Sequence, residues 1–111
     1  MATAKLDVLQ GTLDLLILRT LQWGPQHGHG IGQMIRTRSG ELLQVEHGSL
    51  YPALHRLRSK GWIESEWGVT ANNQRARFYT LTRAGRKQLV VEESRWKRIV
   101  RAMARLARPQ E

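Results

Sequence analysis

Gly48-Ser-Leu-Tyr-Pro-Ala-Leu-His-Arg-Leu-Arg-Ser-Lys-Gly-Trp-Ile63 is the stretch on which the fold turns. Leu50, Leu54 and Leu57 recur at helical spacing and form one apolar stripe. Pro52 falls in the first turn or just after it, where a missing N–H is best tolerated. Lys60 and Gly61 close the helix with a cation and a glycine suited to the left-handed position beyond its end. With the three leucines inward, Ser49, Pro52, His55, Arg56 and Ser59 point away from the core, and Tyr51 and Arg58 lie at the flank. This short helix therefore presents a face of small, rigid and basic groups.

Downstream, Trp62 to Gly68 alternates with period two and reads as a strand. Thr70 to Gln74 has turn chemistry, since Asn tolerates positive φ. Arg75 to Leu81 is the return strand, so the two make a β-hairpin. Arg75 and Arg77 stand two residues apart and share a face, whereas Phe78 and Leu81 fall on different faces. Thr82 is a good N-cap for a long helix from Arg83 to about Ala107, which Pro109 ends. Gly85 near its start weakens that helix slightly.

Upstream, Val8 to Trp23 is nearly all apolar. Leu9, Leu13, Leu16 and Leu21 lie on or near one face, and Leu15 and Leu18 lie off it. A helix apolar nearly all round is covered on more than one side, and the second cover is expected to be another subunit. Gly24-Pro25 ends it and Gln26 to Gly30 reads as a loop. Ile31, Met34, Ile35 and Arg38 share a face of a second helix that stops at Gly40. Leu42 to Val45 reads as a short extended stretch, and Met1 to Ala4 as disordered.

The order is three helices, a two-stranded hairpin and a long helix. That is a mainly α (α+β) winged helix-turn-helix, with a two-stranded wing and a C-terminal dimerisation helix. Residues 1–82 form the winged unit and 83–111 the dimerisation helix and tail, in one compact body. A chain of 111 residues is one domain by length. It carries 18 Lys plus Arg against 9 Asp plus Glu, a net charge of +9. Such a balance points to a polyanionic partner, because Lys and Arg release counterions from phosphates. The partner expected is double-stranded DNA, with the third helix in the major groove and the wing on the backbone or the neighbouring groove.

The candidate DNA-binding residues are Ser49, Tyr51, Pro52, His55, Arg56, Ser59, Arg75 and Arg77. Arg56 is expected to pair with guanine or a phosphate; if it contacts a base, Arg56→Ala weakens operator binding by roughly 1–3 kcal/mol. Ser49 sits at the helix N-terminus, where backbone N–H groups favour a phosphate. Pro52 suits a thymine methyl or close approach. Arg75, at the turn, suits phosphate or minor-groove contact. Arg77 either joins it or supports the hairpin. Two further readings stay open: a winged-helix protein-interaction module, and a non-specific nucleic-acid binder.

The last helix carries a second pattern. Leu89, Glu93, Trp96, Val100, Met103 and Ala107 follow spacings of 4, 3, 4, 3 and 4, widened by Ile99 and Leu106. This heptad-like seam reads as a dimer surface. With Leu13 and Leu16 of the first helix, it assigns Leu89, Trp96, Val100 and Met103 to a homodimer interface. Trp96 either fills the dimer core or, with its partner copy, sandwiches a flat apolar ligand. Lys87, Arg95, Lys97, Arg98, Arg101, Arg105 and Arg108 form the opposite, solvated basic face.

No catalytic constellation appears, so an enzyme is not expected. With no Cys, disulfides and thiolate sites are excluded. His27 and His29 lack a third ligand nearby, and His47 and His55 are too far along the chain to assign to their site, so no metal or cofactor is expected. The apolar runs are too short to span a bilayer and the first residues show no signal-peptide apolar core followed by a small-residue cleavage site, which makes the cytoplasm the expected compartment.

The chain resembles the PadR family of bacterial transcriptional regulators over about Leu9 to Ala107. Gly48-Ser-Leu-Tyr-Pro-Ala-Leu-His-Arg-Leu57 is close to the family's G-(T/S)-L-Y-P-x-L-x-R-L signature, and Gly61-Trp-Ile63 resembles its helix-to-wing passage. Arg77 to Gly85 is close to Y-x-L-T-x-x-G, and Gly11 to Leu18 is similar to the family's first helix. His27 to Gly30 resembles an H-G-Y-x loop, with His29 where Tyr is common. The resemblance implies a cytoplasmic homodimer that binds operator DNA, mostly as a repressor, with release by a small aromatic effector in some members. With a single C-terminal helix the chain is similar to the family's short branch, in which that helix crosses the partner and an interfacial Trp can line a ligand pocket. Trp96 falls on the matching stretch.

Overall fold

A computed structural model describes residues 6–7 and 10–109, with side chains from residue 12 onward. Met1 to Ala4, expected to be disordered, lie outside the described residues. The elements run β1 (Leu6–Asp7), α1 (Gln10–Leu21), β2 (Gln26–His27), α2 (Gly28–Arg38), β3 (Leu43–Gln44), α3 (His47–Ser59), β4 (Ile63–Val69), β5 (Arg75–Leu81) and α4 (Arg83–Ala107).

The wing, the turn and both ends of α4 fall where the sequence puts them, to within a residue. Asn73 takes φ 60° in the turn, as its short polar side chain allows. The sheet has one more strand than expected. Gln26 and His27, read as a loop, pair antiparallel with Tyr79 and Phe78, giving the order β2-β5-β4. A two-residue strand has no periodicity, and only its distant partner, Phe78 and Tyr79 of β5, makes it one. β1 and β3 form a separate parallel pair.

Local chemistry sets the helix ends. His27 caps α2 through Nδ1, which accepts from the Gly30 N–H at 3.1 Å. Beyond α3, Gly61 has φ 76°, its N–H donates to the Arg58 carbonyl, and the Trp62 N–H donates to that of Leu57. That pair of bonds satisfies two end carbonyls and turns the chain into the wing. The Thr82 hydroxyl accepts from Gly85 N–H at 3.0 Å and donates to the Gly61 carbonyl at 2.6 Å. One side chain thereby caps α4 and ties it to the end of α3.

The core corrects one expectation. α1 needs no second subunit to bury its apolar far side. Leu13, Leu15, Ile17, Leu18 and Leu21 are all buried by the same chain, because α1 runs through the middle of the fold against α2, α3, α4 and β5. Leu13 is 1% exposed and Leu89 of α4 is 6% exposed, so both belong to the protomer's own core rather than to a dimer interface. Leu16 packs at the edge of that core. Gly85, read as a weak point in α4, sits against the backbone of Trp62, where a Cβ would lie 1.9 Å from the carbonyl oxygen. The glycine is there for that close approach.

Candidate nucleic-acid interface

α3 buries Leu50, Ala53, Leu54 and Leu57 and leaves Ser49, Tyr51, Pro52, His55 and Ser59 exposed. Arg56 departs from the expected outward face. It is half-buried and turned onto α1, where its guanidinium donates to the carboxylate of Asp14. The buried Ala53 tilts the apolar stripe toward the side that carries Arg56, bringing it against α1. Paired with a shielded carboxylate, this arginine ties α1 to α3.

The wing stands beside α3 through the period of its strands. Ile63 faces Leu81, Ser65 faces Tyr79 and Trp67 faces Arg77 across the hairpin. These residues lie on one face, which is buried at the root and solvated at the tip. Arg75 and Arg77 therefore continue the core face outward, past α3. Both guanidinium groups lie against the indole of Trp67, at 4.7 and 4.9 Å from its centroid. Arg77 also donates to the Ser65 hydroxyl at 3.0 Å, and Arg58 of α3 donates to the same oxygen at 3.3 Å. Arg77 thus supports the hairpin while remaining exposed.

Between the wing and the N-terminal ends of α2 and α3 lies an open cleft of about 660 Å³. His29, Tyr51, Trp67, Arg75 and Arg77 line it, and no Asp or Glu does. Tyr51 reaches into it across the α2 backbone at Gly28, where a Cβ would meet the Tyr ring at 2.7 Å. The His29 ring lies 6.1 Å from that of His47, and His47 6.1 Å from Tyr51. Distance along the chain hid this proximity of His29 and His47. Among the described residues, no group of three His, Cys, Asp or Glu is placed to hold a metal. A concave, acid-free surface of Arg, His and hydroxyl groups fits a phosphate backbone.

Sequence reasoning named the arginines of this surface but missed Trp67 and Ser65. Their signal was the hairpin register: counting back from the Thr70–Gln74 turn puts Trp67 opposite Arg77.

Apart from this cleft, α4 carries an exposed apolar strip. Trp96, Val100 and Met103 are 43%, 47% and 62% exposed, with Ile99 and Leu106 beside them. Leu16, Trp23, Met34 and Ile35 border a hollow of about 380 Å³ between α1 and α2. Arg19 of α1 pairs with Glu93 of α4 at 2.9 Å. No helix among the described residues is long and apolar enough to cross a membrane.

Comparison with known proteins fits this geometry. A structure of a transcriptional regulator from Clostridium thermocellum superposes with a TM-score of 0.81 at 27% identity, covering 89% of this chain and 96% of that one. A PadR family transcription regulator from Clostridium difficile gives 0.73 at 28% identity, over 85% and 96% of the two chains. The negative transcriptional regulator PadR of Bacillus subtilis is 27% identical over 77 residues, which is 69% of this chain but only 42% of that longer protein. Residues 17–91 match the family described as Transcriptional regulator PadR-like. With most of its length matched and the same winged fold around it, this chain belongs to the PadR-like family of DNA-binding transcriptional regulators.

Proposed function

We propose that the chain is a homodimeric, sequence-specific repressor acting in the cytoplasm on an inverted-repeat operator. Each protomer sets α3 into a major groove, with Ser49, Tyr51, Pro52, His55 and Ser59 toward the DNA and Arg75 and Arg77 on the neighbouring backbone or minor groove. The observation that carries this reading is the acid-free cleft onto which the start of α3 and the wing arginines both open. Arg56 is left out of the reading surface because Asp14 holds it.

Residues 1–82 supply DNA binding and residues 83–111 supply dimerisation. The exposed strip of Trp96, Val100 and Met103 supports the second role, since a solvated apolar patch of this kind marks an interaction surface. Leu16 joins this interface at the edge of the α1–α2 hollow, which suits the C-terminal helix of a second copy. Paired Trp96 rings across the twofold suit a flat aromatic effector. Repression is favoured over activation by the Bacillus subtilis relative, a negative regulator.

The test is an anisotropy titration of the purified dimer on the DNA upstream of its own coding sequence, against scrambled duplex at fixed salt. A preference of roughly a thousand-fold or more supports the repressor. Equal affinity for both duplexes would move the chain to non-specific binding, and no binding to either would favour a protein-interaction module. For the effector, flat aromatics are titrated while Trp fluorescence is followed; no response, with Trp96→Ala leaving DNA release unchanged, removes the ligand role.

A further inference from the structure

We infer that Trp67 is a positioning residue of the wing, holding Arg75 and Arg77 extended for contact with DNA, with Ser65 as the joint that ties this assembly to α3. The inference rests on the DNA-binding reading above. Trp67 is 55% exposed and belongs to no core cluster. A large ring left in water at the tip of a hairpin has a reason other than burial. Both arginines supply it, since each guanidinium lies within 5 Å of the indole centroid. A planar guanidinium stacks on an aromatic face without giving up its in-plane N–H donors. The stacked arginines keep those donors for phosphate while losing much of their rotational freedom before DNA arrives. Ordering a long side chain ahead of binding removes part of the cost of association.

Ser65 extends the arrangement. Its hydroxyl oxygen has two lone pairs, and it accepts from Arg77 of the wing and Arg58 of α3 together. The reading helix and the wing are thereby joined through one side-chain atom. Among the described residues, the nearby acids of β4, Glu64 and Glu66, fall on the opposite strand face, so nothing on the arginine face competes for these cations.

The experiment compares Trp67→Ala, Trp67→Phe and Ser65→Ala with the wild-type dimer in salt-dependent anisotropy titrations on operator and scrambled duplex. Each variant is repeated in an Arg75→Ala/Arg77→Ala background. Trp67→Ala is expected to weaken DNA binding by up to roughly five- to thirty-fold, the size of two exposed cation–π contacts. It should flatten the dependence of log affinity on log salt by roughly one unit. Trp67→Phe, which keeps a ring, should restore most of both. In the background lacking the arginines, Trp67→Ala should change nothing further. Ser65→Ala, which removes no ring, should lower affinity by less than Trp67→Ala.

A further loss in that background would mean that Trp67 touches the DNA itself, and would overturn the inference. So would wild-type affinity and salt slope in Trp67→Ala. A wild-type chain that binds neither duplex overturns the DNA-binding reading and takes the inference with it, so the two failures are distinguishable. Should Trp67→Ala fail to fold by circular dichroism, Trp67→Leu replaces it and the comparison with Trp67→Phe stands.

Discussion

Replacing Gly85 by Ala sets two physical effects against each other, and the structure says which wins. Helix propensity alone favours Ala in α4 by about 1 kcal/mol. The packing opposes it. An Ala Cβ at this position would lie 1.9 Å from the Trp62 carbonyl oxygen and 2.9 Å from Leu81 Cδ1. A backbone carbonyl cannot rotate out of the way as a side-chain end can, so α4 must back off by about an ångström. That movement strains the Thr82 hydroxyl's bonds to Gly85 and Gly61 and the Thr82 N–H bond to Trp62 at 3.1 Å. A weakened cap costs about 1 kcal/mol, a lost backbone bond about 1 and the overpacking a further 1–3. The net expectation is a loss of about 2–4 kcal/mol, seen as a fall in Tm of roughly 10–25 °C for a domain of this size. Thermal unfolding at fixed protein concentration, followed by circular dichroism, measures it. A variant as stable as wild type, or more so, would refute the close approach of α4 to Trp62 and leave propensity as the controlling effect.

Two further substitutions separate structural from functional roles. Arg56→Ala should lower stability by about 1–2 kcal/mol by stranding the half-buried Asp14, while leaving DNA specificity unchanged; in an Asp14→Ala background the same substitution should cost little, and urea unfolding of the four proteins closes the cycle. Val100→Asp should push the proposed dimer toward monomer in analytical ultracentrifugation and weaken operator binding with it, since it places a charge in the apolar strip of α4; an unchanged sedimentation profile would remove that strip from the proposed interface.

What could be read from the sequence had local causes. The Thr82 cap, the Asn-rich turn, the alternation of β4 and β5 and the glycine after α3 each declare themselves within a few residues, and each lies where that chemistry requires. What escaped depends on distant parts of the chain. Gln26 and His27 become a strand only because β5 passes beside them. Leu13 looked free for a partner because nothing near it in sequence says that α1 runs through the centre of its own protomer. Arg56 looked like a reading residue because the wheel was drawn from three leucines, and Ala53, too small to weigh in a hydrophobic pattern, shifts the buried arc. His29 and His47 are neighbours only after α2 and α3 have packed.

The two polar ties of α1 have a mechanical consequence. Asp14 grips α3 through Arg56, and five residues later Arg19 grips α4 through Glu93. That interval is about 7.5 Å of helix rise, too short to bend. Both α3 and α4 are therefore tied to the same short stretch of α1. A protein engineer wishing to make this scaffold answer to a new stimulus would do well to begin at Glu93, which links the C-terminal arm to the helix whose other polar contact is with α3.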